Sequence, residues 1–468
     1  LDGGGPSASD VATLTGDGAL VTATLSDPAV VSGGGLGTVN LSGIETVNLD
    51  AAAGNVDADG TAGDDAISYA PTGAEAGTIT EDGLNTSFNL TNVGDLTIDG
   101  ISGDDTLAVQ GTTAADTFTI SVTAVTHDSL QGVNTIANVD ALAVSGAEAA
   151  DTFDVTAGAI PISIDGGDAN GAGDAIAIAA GANSATFNAG PETDEGSFAI
   201  GGAAGLVSFD HVESLTVDGT SVAGNAATVN GTSADNDITL TATAADHFTV
   251  GIDGQTVTFT DFNSASLSGG DGADDISVTS LAAFTTTVTV AGDSPTGTTG
   301  DTLHVEGTAA GETIAVTAST ITVGGSGVIT YGTVESLSLD AAGGTDTITV
   351  TGSTAYDYTP GGSADAGSLL ADSLPISFSN LGAGEALDLD GTSLVAHGTD
   401  SDNTFILGAN LTVDGRVNIT RTNLTTLTLD GLAGDDTFTI GSGHGYTTVD
   451  LDGGGPSASD VATLTGDG

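Results

Sequence analysis

The sequence lacks cysteine, methionine and tryptophan, and aromatic residues make up only 4% of it. Without cysteine, neither a disulfide nor a thiolate metal site can form. Lysine is also absent. Two arginines, Arg416 and Arg421, stand against 63 acidic residues, which leaves a formal net charge of −61. Such a charge repels nucleic acids and anionic membrane surfaces, so we expect neither as a partner. No apolar run of about 18 residues occurs, and we therefore expect no membrane insertion.

The remaining composition is that of short β-strands and tight turns. Hydrophobic residues make up 39% of the chain and the mean hydropathy is +0.20, so a core can be buried despite the charge. Most apolar residues are small or β-branched, and Gly and Thr are abundant. Stretches such as Leu215-Thr-Val217 and Leu427-Thr-Leu429 place their apolar residues on one face. The sequence therefore predicts an all-β fold.

Two short patterns recur along the chain. The first is Gly, two variable residues, Gly or Ala, an acidic pair or near-pair, and then the start of a strand. The second, a strand that ends in Asp-Gly or Ser-Gly, often stands just before the first. The first pattern begins at Gly60, Gly100, Gly111, Gly146, Gly231, Gly269, Gly307, Gly398 and Gly431. Repetition of a strand–turn unit is the signature of a solenoid.

We expect a parallel β-helix, that is, a β-solenoid built from many short strands, with about 20–25 residues in each coil. The alternative is a string of β-sandwich domains. Such a string would repeat at about 100 residues and carry an aromatic core in each domain. The irregular spacing of the patterns and the shortage of aromatic residues favour the solenoid.

A longer repeat spans the whole chain. The segment LDGGGPSASDVATLTGDG occupies residues 1–18 and returns without change at residues 451–468. Surface turns tolerate most substitutions, so an old duplication would have diverged. We interpret residues 1–450 as one continuous period of a solenoid and residues 451–468 as the start of the next identical period.

The acidic turns carry a resemblance to a known family. GGDGADDIS at Gly269 matches the nonapeptide Gly-Gly-x-Gly-x-Asp-x-apolar-x, and GTAGDDAIS, GISGDDTLA and GLAGDDTFT match it except at the second glycine. The chain resembles the Gly/Asp/Thr-rich tandem-repeat regions of giant bacterial surface proteins and adhesins, with degenerate RTX (haemolysin-type calcium-binding) units. The resemblance implies calcium at these turns. RTX units follow one another directly, whereas these never lie nine residues apart, so only half-sites carry over: Asp65, Asp105, Asp274 and Asp436.

A second calcium hypothesis rests on residues 55–65. Asn55, Asp57 and Asp59 alternate and are followed by Gly60, as ligands do in an EF-hand loop. Ala66 stands where that loop has its bidentate glutamate, and Asp64 or Asp65 would have to replace it. The alternative is an Asx-turn loop whose carboxylates only cap backbone amides. The full set of candidate calcium ligands is Asn55, Asp57, Asp59, Asp64, Asp65, Asp104, Asp105, Asp271, Asp274, Asp275, Asp435 and Asp436.

Nothing in the sequence indicates catalysis. The six histidines are scattered without metal-ligand spacing, and no nucleophile or phosphate-binding motif occurs. We expect a non-catalytic extracellular structural protein that forms the rod of a surface filament, stalk, sheath or giant adhesin. Its partner would be itself, through covalent tandem repeats or head-to-tail assembly, with lateral association through divalent cations. The alternatives are adhesin repeats that bind a polysaccharide or another surface and, more remotely, a β-helix polysaccharide-degrading enzyme.

The charge generates a prediction about stability. Self-repulsion opposes the compact state, so we expect the melting temperature of the chain to rise when cations are added. The measurement is thermal unfolding in low-salt buffer with a chelator, then with about millimolar calcium, and then with sodium of matched ionic strength. An increase specific to calcium would indicate sites, and an equal increase with sodium would indicate screening. An unchanged melting temperature in all three would contradict the prediction.

Overall fold

The computed structural model describes residues 1–3, 10–167, 173–222, 224–279, 281–294, 300–381, 384–455 and 459–466. Within these ranges the chain is almost entirely β, with one short 3-10 helix at Leu281–Ala283. Its many short parallel strands form long stacks, which confirms the predicted β-solenoid. The chain divides into two compact units, one of Leu1–Thr220 with Gln255–Thr260 and one of Ser221–Gly254 with Asp261–Gly468.

The first unit contains strands β1 to β22 and, from later in the chain, β26. In chain order, β1 to β22 are Val11–Thr15, Val21–Thr24, Ala29–Gly33, Thr38–Leu41, Thr46–Asp50, Val56–Asp59, Ala66–Gly73, Ala76–Glu81, Ser87–Thr91, Leu96–Asp99, Thr106–Gln110, Thr117–Ser121, Ala124–His127, Thr135–Ala137, Ala141–Ser145, Thr152–Thr156, Ile162–Asp165, Ala175–Gly181, Ala185–Ala189, Gly196–Ile200, Leu206–Asp210 and Ser214–Gly219.

The remaining strands, apart from β26, form the second unit. In chain order, β23 to β47 are Ala226–Asn230, Asp237–Ala242, Phe248–Ile252, Gln255–Thr260, Ser264–Asp271, Asp275–Thr279, Thr287–Ser294, Thr302–Glu306, Thr313–Val316, Thr320–Val323, Ile329–Gly332, Ser336–Asp340, Thr347–Thr351, Ala355–Pro360, Gly367–Ala371, Leu374–Ser379, Ala386–Asp390, Ser393–His397, Thr404–Leu407, Leu411–Val413, Asn418–Thr422, Thr426–Asp430, Thr437–Ile440, Thr448–Asp452 and Val461–Leu464.

In the first unit, the parallel strands belong to three sheets. One sheet contains the parallel stacks β1–β5–β9 and β7–β11–β15–β17–β21. A second contains β2–β6–β10–β14, and a third contains β12–β16–β18–β22–β26. Each strand therefore stacks in register on its counterpart in the next coil.

The second unit has the same plan. One sheet contains β23–β27–β29–β33, β31–β35–β39–β43 and β41–β45–β47. The other contains β24–β28–β30–β34–β38 and β36–β40–β44–β46. Both units are thus solenoids in which parallel strands stack coil on coil.

Most coils are longer than the expected 20–25 residues. The turn acid Asp151 meets its counterpart 23 residues later, but Asp65 meets its counterpart only after 40. Many longer coils contain an antiparallel meander such as β7–β8–β9, in which β9 pairs with β5 and β7 pairs with β11. Because the meander satisfies its hydrogen bonds within the sheet, it can be inserted between parallel strands without leaving an open edge.

The core lies between the sheets and is built from alternate residues of the strands. In β44 the side chains of Leu427 and Leu429 are completely buried, whereas Thr428 between them faces outward. Counterparts in successive coils stack on each other. Phe405 lies on Phe438 with ring centroids 4.9 Å apart and planes inclined by 12°. The alternation in the sequence thus places stacked apolar side chains on the inner face of each sheet.

This packing predicts opposite effects for two adjacent residues. Phe405→Ala should cost about 3–5 kcal/mol, because it leaves a cavity beside Phe438. Ile406 points outward and is 48% exposed, so Ile406→Ala should cost less than about 1 kcal/mol. The denaturation midpoints in urea measure both effects. Equal midpoints for the two variants would contradict the assigned faces of β41.

Candidate functional site

The turn that begins the first sequence pattern buries a carboxylate. The acid five residues after the leading glycine enters the interior, so that Asp105 and Asp436 have no exposed surface and Asp274 is 2% exposed. Buried aspartates are rare unless they have hydrogen-bond or charge partners. The partner here is the backbone of the neighbouring coil.

These residues form ladders that join one coil to the next. The Asp65 N–H donates to Asp105 Oδ1 at 2.8 Å, and the Asp105 N–H donates to Asp140 Oδ2 at 2.9 Å. We call every such chain of bonds a carboxylate ladder. The others are Asp10→Glu45, Asp116→Asp151→Asp174→Glu213, Asn236→Asp274→Asp301→Glu335, Glu312→Asp346 and Asn403→Asp436→Asp460. The donor–acceptor distances in these other ladders are 2.6 to 3.0 Å.

The leading glycine of the pattern makes room for the carboxylate. A Cβ atom on Gly146 would lie 2.2 Å from Asp151 Oδ2, and one on Gly269 would lie 2.2 Å from Asp274 Oδ2. The same added atom would also approach the carbonyl oxygen of the following coil, at 2.7 Å for Gly146 and 2.8 Å for Gly269. The recurring Gly…Asp spacing is therefore a packing requirement, because any side chain at the glycine would displace the buried acid.

The residue after the glycine decides how well the carboxylate is satisfied. Where it is Thr61, its N–H donates to Asp65 Oδ2 at 2.6 Å. Where it is Ile101, the backbone is left-handed at φ 73°, and the N–H turns away to Asp99 Oδ1 at 2.9 Å. Asp105 Oδ2 is then buried without a hydrogen-bond donor. Among the described residues, the same holds for one oxygen each of Asp151, Asp174, Asp274, Asp301, Asp346 and Asp436.

The buried carboxylates are therefore costly to ionise. Burial raises the pKa of Asp151 to about 6, aided by the charges of Asp174 and Asp116 and opposed by the hydrogen bond from the Asp116 N–H and by His127. Burial also raises the pKa values of the other members that lack a donor: Asp105, Asp174, Asp274, Asp301, Asp346 and Asp436. A carboxylate that is removed from water keeps its negative charge only at a cost in free energy, so its pKa rises.

A second inter-coil contact uses the aspartate that ends the preceding strand. Asp99 Oδ1 accepts the Ile101 N–H within its own turn and the Asn138 Nδ2 of the next coil at 2.8 Å. Asp340 and Asn380 repeat the inter-coil contact at 2.6 Å. Asn138 and Asn380 are themselves left-handed, a conformation that asparagine tolerates well. The aspartate that ends the second sequence pattern thus makes an exposed hydrogen bond between coils, next to the buried bond of the carboxylate ladder.

The residues of the EF-hand-like hypothesis fall on a strand and the turn after it. Asp57 and Asp59 lie on the outward face of β6, while Asn55 hydrogen-bonds Asp95 from the end of that strand. Asp59 is paired in register with Asp99, and burial together with the charges of Asp57 and Asp99 raises the pKa of Asp59. The structure therefore groups Asp57 and Asp59 with Asp99, and it places Asp65 in a carboxylate ladder.

The other candidate ligands occupy two kinds of position. Asp105, Asp274 and Asp436 are buried ladder members, as described above. Asp64, Asp104 and Asp435, each directly before a buried acid, are exposed and form an outer row, in which Asp64 Oδ1 accepts the Asp104 N–H at 3.0 Å. The Asp435 N–H likewise donates to Asp402 Oδ1. The last two are exposed as well: Asp271 accepts the Ser294 hydroxyl, and Asp275 lies 2.7 Å from His304 Nε2.

One cluster was not found from the sequence. Among the described residues, Asp246, His247 and Asp261 are the one group with three possible metal-ligand atoms within 4.8 Å of one another. His247 Nδ1 lies 2.8 Å from Asp246 Oδ1, and Ser221 hydrogen-bonds both aspartates. The bond from Ser221 and then that from His247 lower the pKa of Asp246. The side chains of the cluster thus have hydrogen-bond partners in one another and in Ser221. Asp261 comes next to Asp246 and His247 only in the folded chain.

No family model matches the chain, and no curated protein matches it significantly. The resemblance to RTX repeats therefore stays a prediction. Among the described residues no helix is long and apolar enough to cross a membrane.

The raised pKa values predict an unusual response to pH. Asp151 binds its proton more tightly in the folded state, with a pKa of about 6, than at its ordinary value of 3.8. Its contribution to stability therefore grows as the pH falls through about 6 and fades as the pH rises. We expect the melting temperature to increase from about pH 7 to about pH 5, and Asp151→Asn to flatten this increase while keeping the Oδ1 acceptor.

The control is Asp154→Asn, which removes an exposed carboxylate from the same strand. It should leave the slope of melting temperature against pH near that of the unmodified chain. A slope for Asp151→Asn that equals the wild-type slope would show that burial of this acid does not govern the response.

Proposed function

We propose that the protein is a non-catalytic structural protein of the cell exterior, whose solenoid repeats form the shaft of a surface filament, stalk, sheath or giant adhesin. The observation that carries the proposal is the carboxylate ladder. In each step a backbone N–H of one coil depends on an acid of the next, as in Asp274→Asp301→Glu335. A coil of this kind is complete only between neighbours, which is the property of an element built for repetition.

The positions of the acids support a structural role over catalysis. The most buried carboxylates, such as Asp105 and Asp174, accept hydrogen bonds from the backbone of the neighbouring coil. Outward histidines are held beside acids, as His397 is between Asp357 and Asp430 at 2.9 Å each. These contacts give each group a role in joining coils.

The alternative of a ligand-binding adhesin is favoured by a groove on the outer face of the second unit. It has a volume of about 480 Å³ and is lined by Asp275, Ser277, His304, Ser338 and Asp340. Hydroxyls, carboxylates and an imidazole on a sheet face are groups that hydrogen-bond a sugar. In this reading the groove would bind a polysaccharide on a neighbouring surface.

We also propose that the acidic faces of the solenoid bind calcium. Like charges that are directly opposite in a sheet repel each other, and Asp59 and Asp99 are such a pair. A divalent cation near Asp57, Asp59 and Asp99 would relieve this repulsion, and cations shared between chains would allow lateral association. The exposed acids of the outer rows would take part in the same way.

The test is the location of the protein and the effect of removing it. Gold-labelled antibodies against the chain should bind the surface of unpermeabilised source cells, and deletion of the coding region should remove the labelled extracellular material. Label that appears only after permeabilisation would contradict the proposal. A glycan array distinguishes the structural protein from the ligand-binding adhesin. Binding of the purified chain to a glycan, if His304→Ala abolishes it, would support the adhesin.

A further inference from the structure

The two identical segments pair with strands on opposite edges. In the first copy, β1 pairs with β5, which follows it, and Val11 is opposite Thr46. In the second copy, β47 has the same sequence but pairs with β45, which precedes it, and Val461 is opposite Thr437. The segment thus has two edges, each of which matches a specific strand of this chain.

The hydrogen bonds at the two edges use different backbone groups. Toward the preceding coil, the Thr465 N–H donates to Ile440 O at 2.9 Å. Toward the following coil, the Gly16 N–H, one position further along the repeated sequence, donates to Asp50 O at 2.8 Å. Because amides of a parallel strand alternate in direction, one segment can make both sets at once.

The carboxylate ladder also continues through the repeated segment. Asp460 and Asp10 are the same residue of the repeat. Asp460 Oδ1 accepts the Asp436 N–H at 3.0 Å, and the Asp10 N–H donates to Glu45 Oε2 at 2.7 Å. Superposition of the two copies gives the unbroken ladder Asp436→Asp460/Asp10→Glu45.

The second sheet matches in the same way. Asp452 pairs with Asp430 on its preceding side. Its equivalent, Asp2, forms a parallel bridge with Ser42 on its following side, and the Gly3 N–H donates to Ser42 O at 2.9 Å. Strand pairing on both faces of the solenoid therefore continues through the segment in a consistent register.

Burial shows which side chains need the following coil. Leu14 is 8% exposed beneath the coil that contains Val47 and Leu49, whereas the equivalent Leu464 is 73% exposed. Val11 and Val461 point outward and are 56% and 51% exposed. An open strand edge beside an exposed leucine is unfavourable, and proteins normally cover it.

We propose that this edge, formed by residues 451–452 and 461–464, is the docking surface for residues 38–50 of a second copy of the repeat. In this junction, residues 451–468 end the first copy and are at the same time residues 1–18 of the second copy. Residue n of the second copy is therefore residue n + 450 of the joined chain. The proposal deepens the proposed tandem-repeat function by giving the register in which one period joins the next.

The test uses a chain in which residues 1–468 are followed directly by a second copy of residues 19–468. Because the natural sequence has no cysteine, an introduced pair can report on the register. Val461→Cys with Thr46→Cys of the second copy would be opposite each other across the junction, and neighbouring parallel strands lie within disulfide distance. The positive control is Val11→Cys with Thr46→Cys in a single copy, where the pairing is seen directly.

We expect the junction pair to oxidise at a rate like that of the positive control, at least about tenfold faster than an off-register pair. That off-register pair is Val461→Cys with Asp50→Cys of the second copy, about 13 Å further along the strand. A junction disulfide no faster than the off-register one would overturn the proposed register. The disulfide test and the antibody labelling give independent results. Labelled cell surfaces without a junction disulfide would refute only the proposed junction. A junction disulfide together with label inside the cell would refute only the proposed function outside the cell.

Discussion

The fold depends on the hydrogen bond from a backbone N–H in one coil to a buried carboxylate in the next. In a turn that belongs to a carboxylate ladder, the N–H of the ladder residue would otherwise lack a partner in the interior. Asp105 and Asp436 fill that position for Asp65 and Asn403. A charge-assisted bond at this point is stronger than a neutral one, which offsets part of the cost of burying the acid. The leading glycine and the following strand are both arranged around this bond.

Two hydrogen bonds of the turn exclude each other. A left-handed residue after the glycine brings the outer Asp-to-Asn contact into place, but it removes the second donor from the buried acid. Asp105 beside Ile101 has the outer contact and an oxygen without a donor. Both carboxylate oxygens of Asp65 are hydrogen-bonded by Thr61, Oδ2 by its N–H and Oδ1 by its hydroxyl. The ladders that start at Asp65, Asp116, Asn236, Glu312 and Asn403 begin at threonine turns and continue through left-handed ones. In these ladders the first side chain accepts a bond from its threonine, and the buried acids after it keep one oxygen without a donor.

The proposed function rests on the distribution of charge between the interior and the surface of the solenoid. The buried acids join coil to coil, and the exposed acids of the same pairs cover the surface with negative charge. The first group would make a solenoid that needs neighbours on both sides, and the second would keep it soluble and responsive to cations. A shaft made of repeated periods is the proposed use of both properties. The repeated segment at residues 1–18 and 451–468 is where one period would pass into the next.

Much of this could be read from the sequence, and the limits have a physical cause. Alternation in stretches such as Leu427-Thr-Leu429 determined the strands and their buried faces, and glycine with acidic pairs determined the turns, because both signals are local. The sequence did not show which acid of each pair is buried, that meanders lengthen the coils, or that Asp246 and His247 meet Asp261. Those features depend on partners in other coils, 23 to 40 residues away along the ladders. Only the stacking of coils decides which carboxylate meets which N–H, because the bond forms between residues that no short pattern connects.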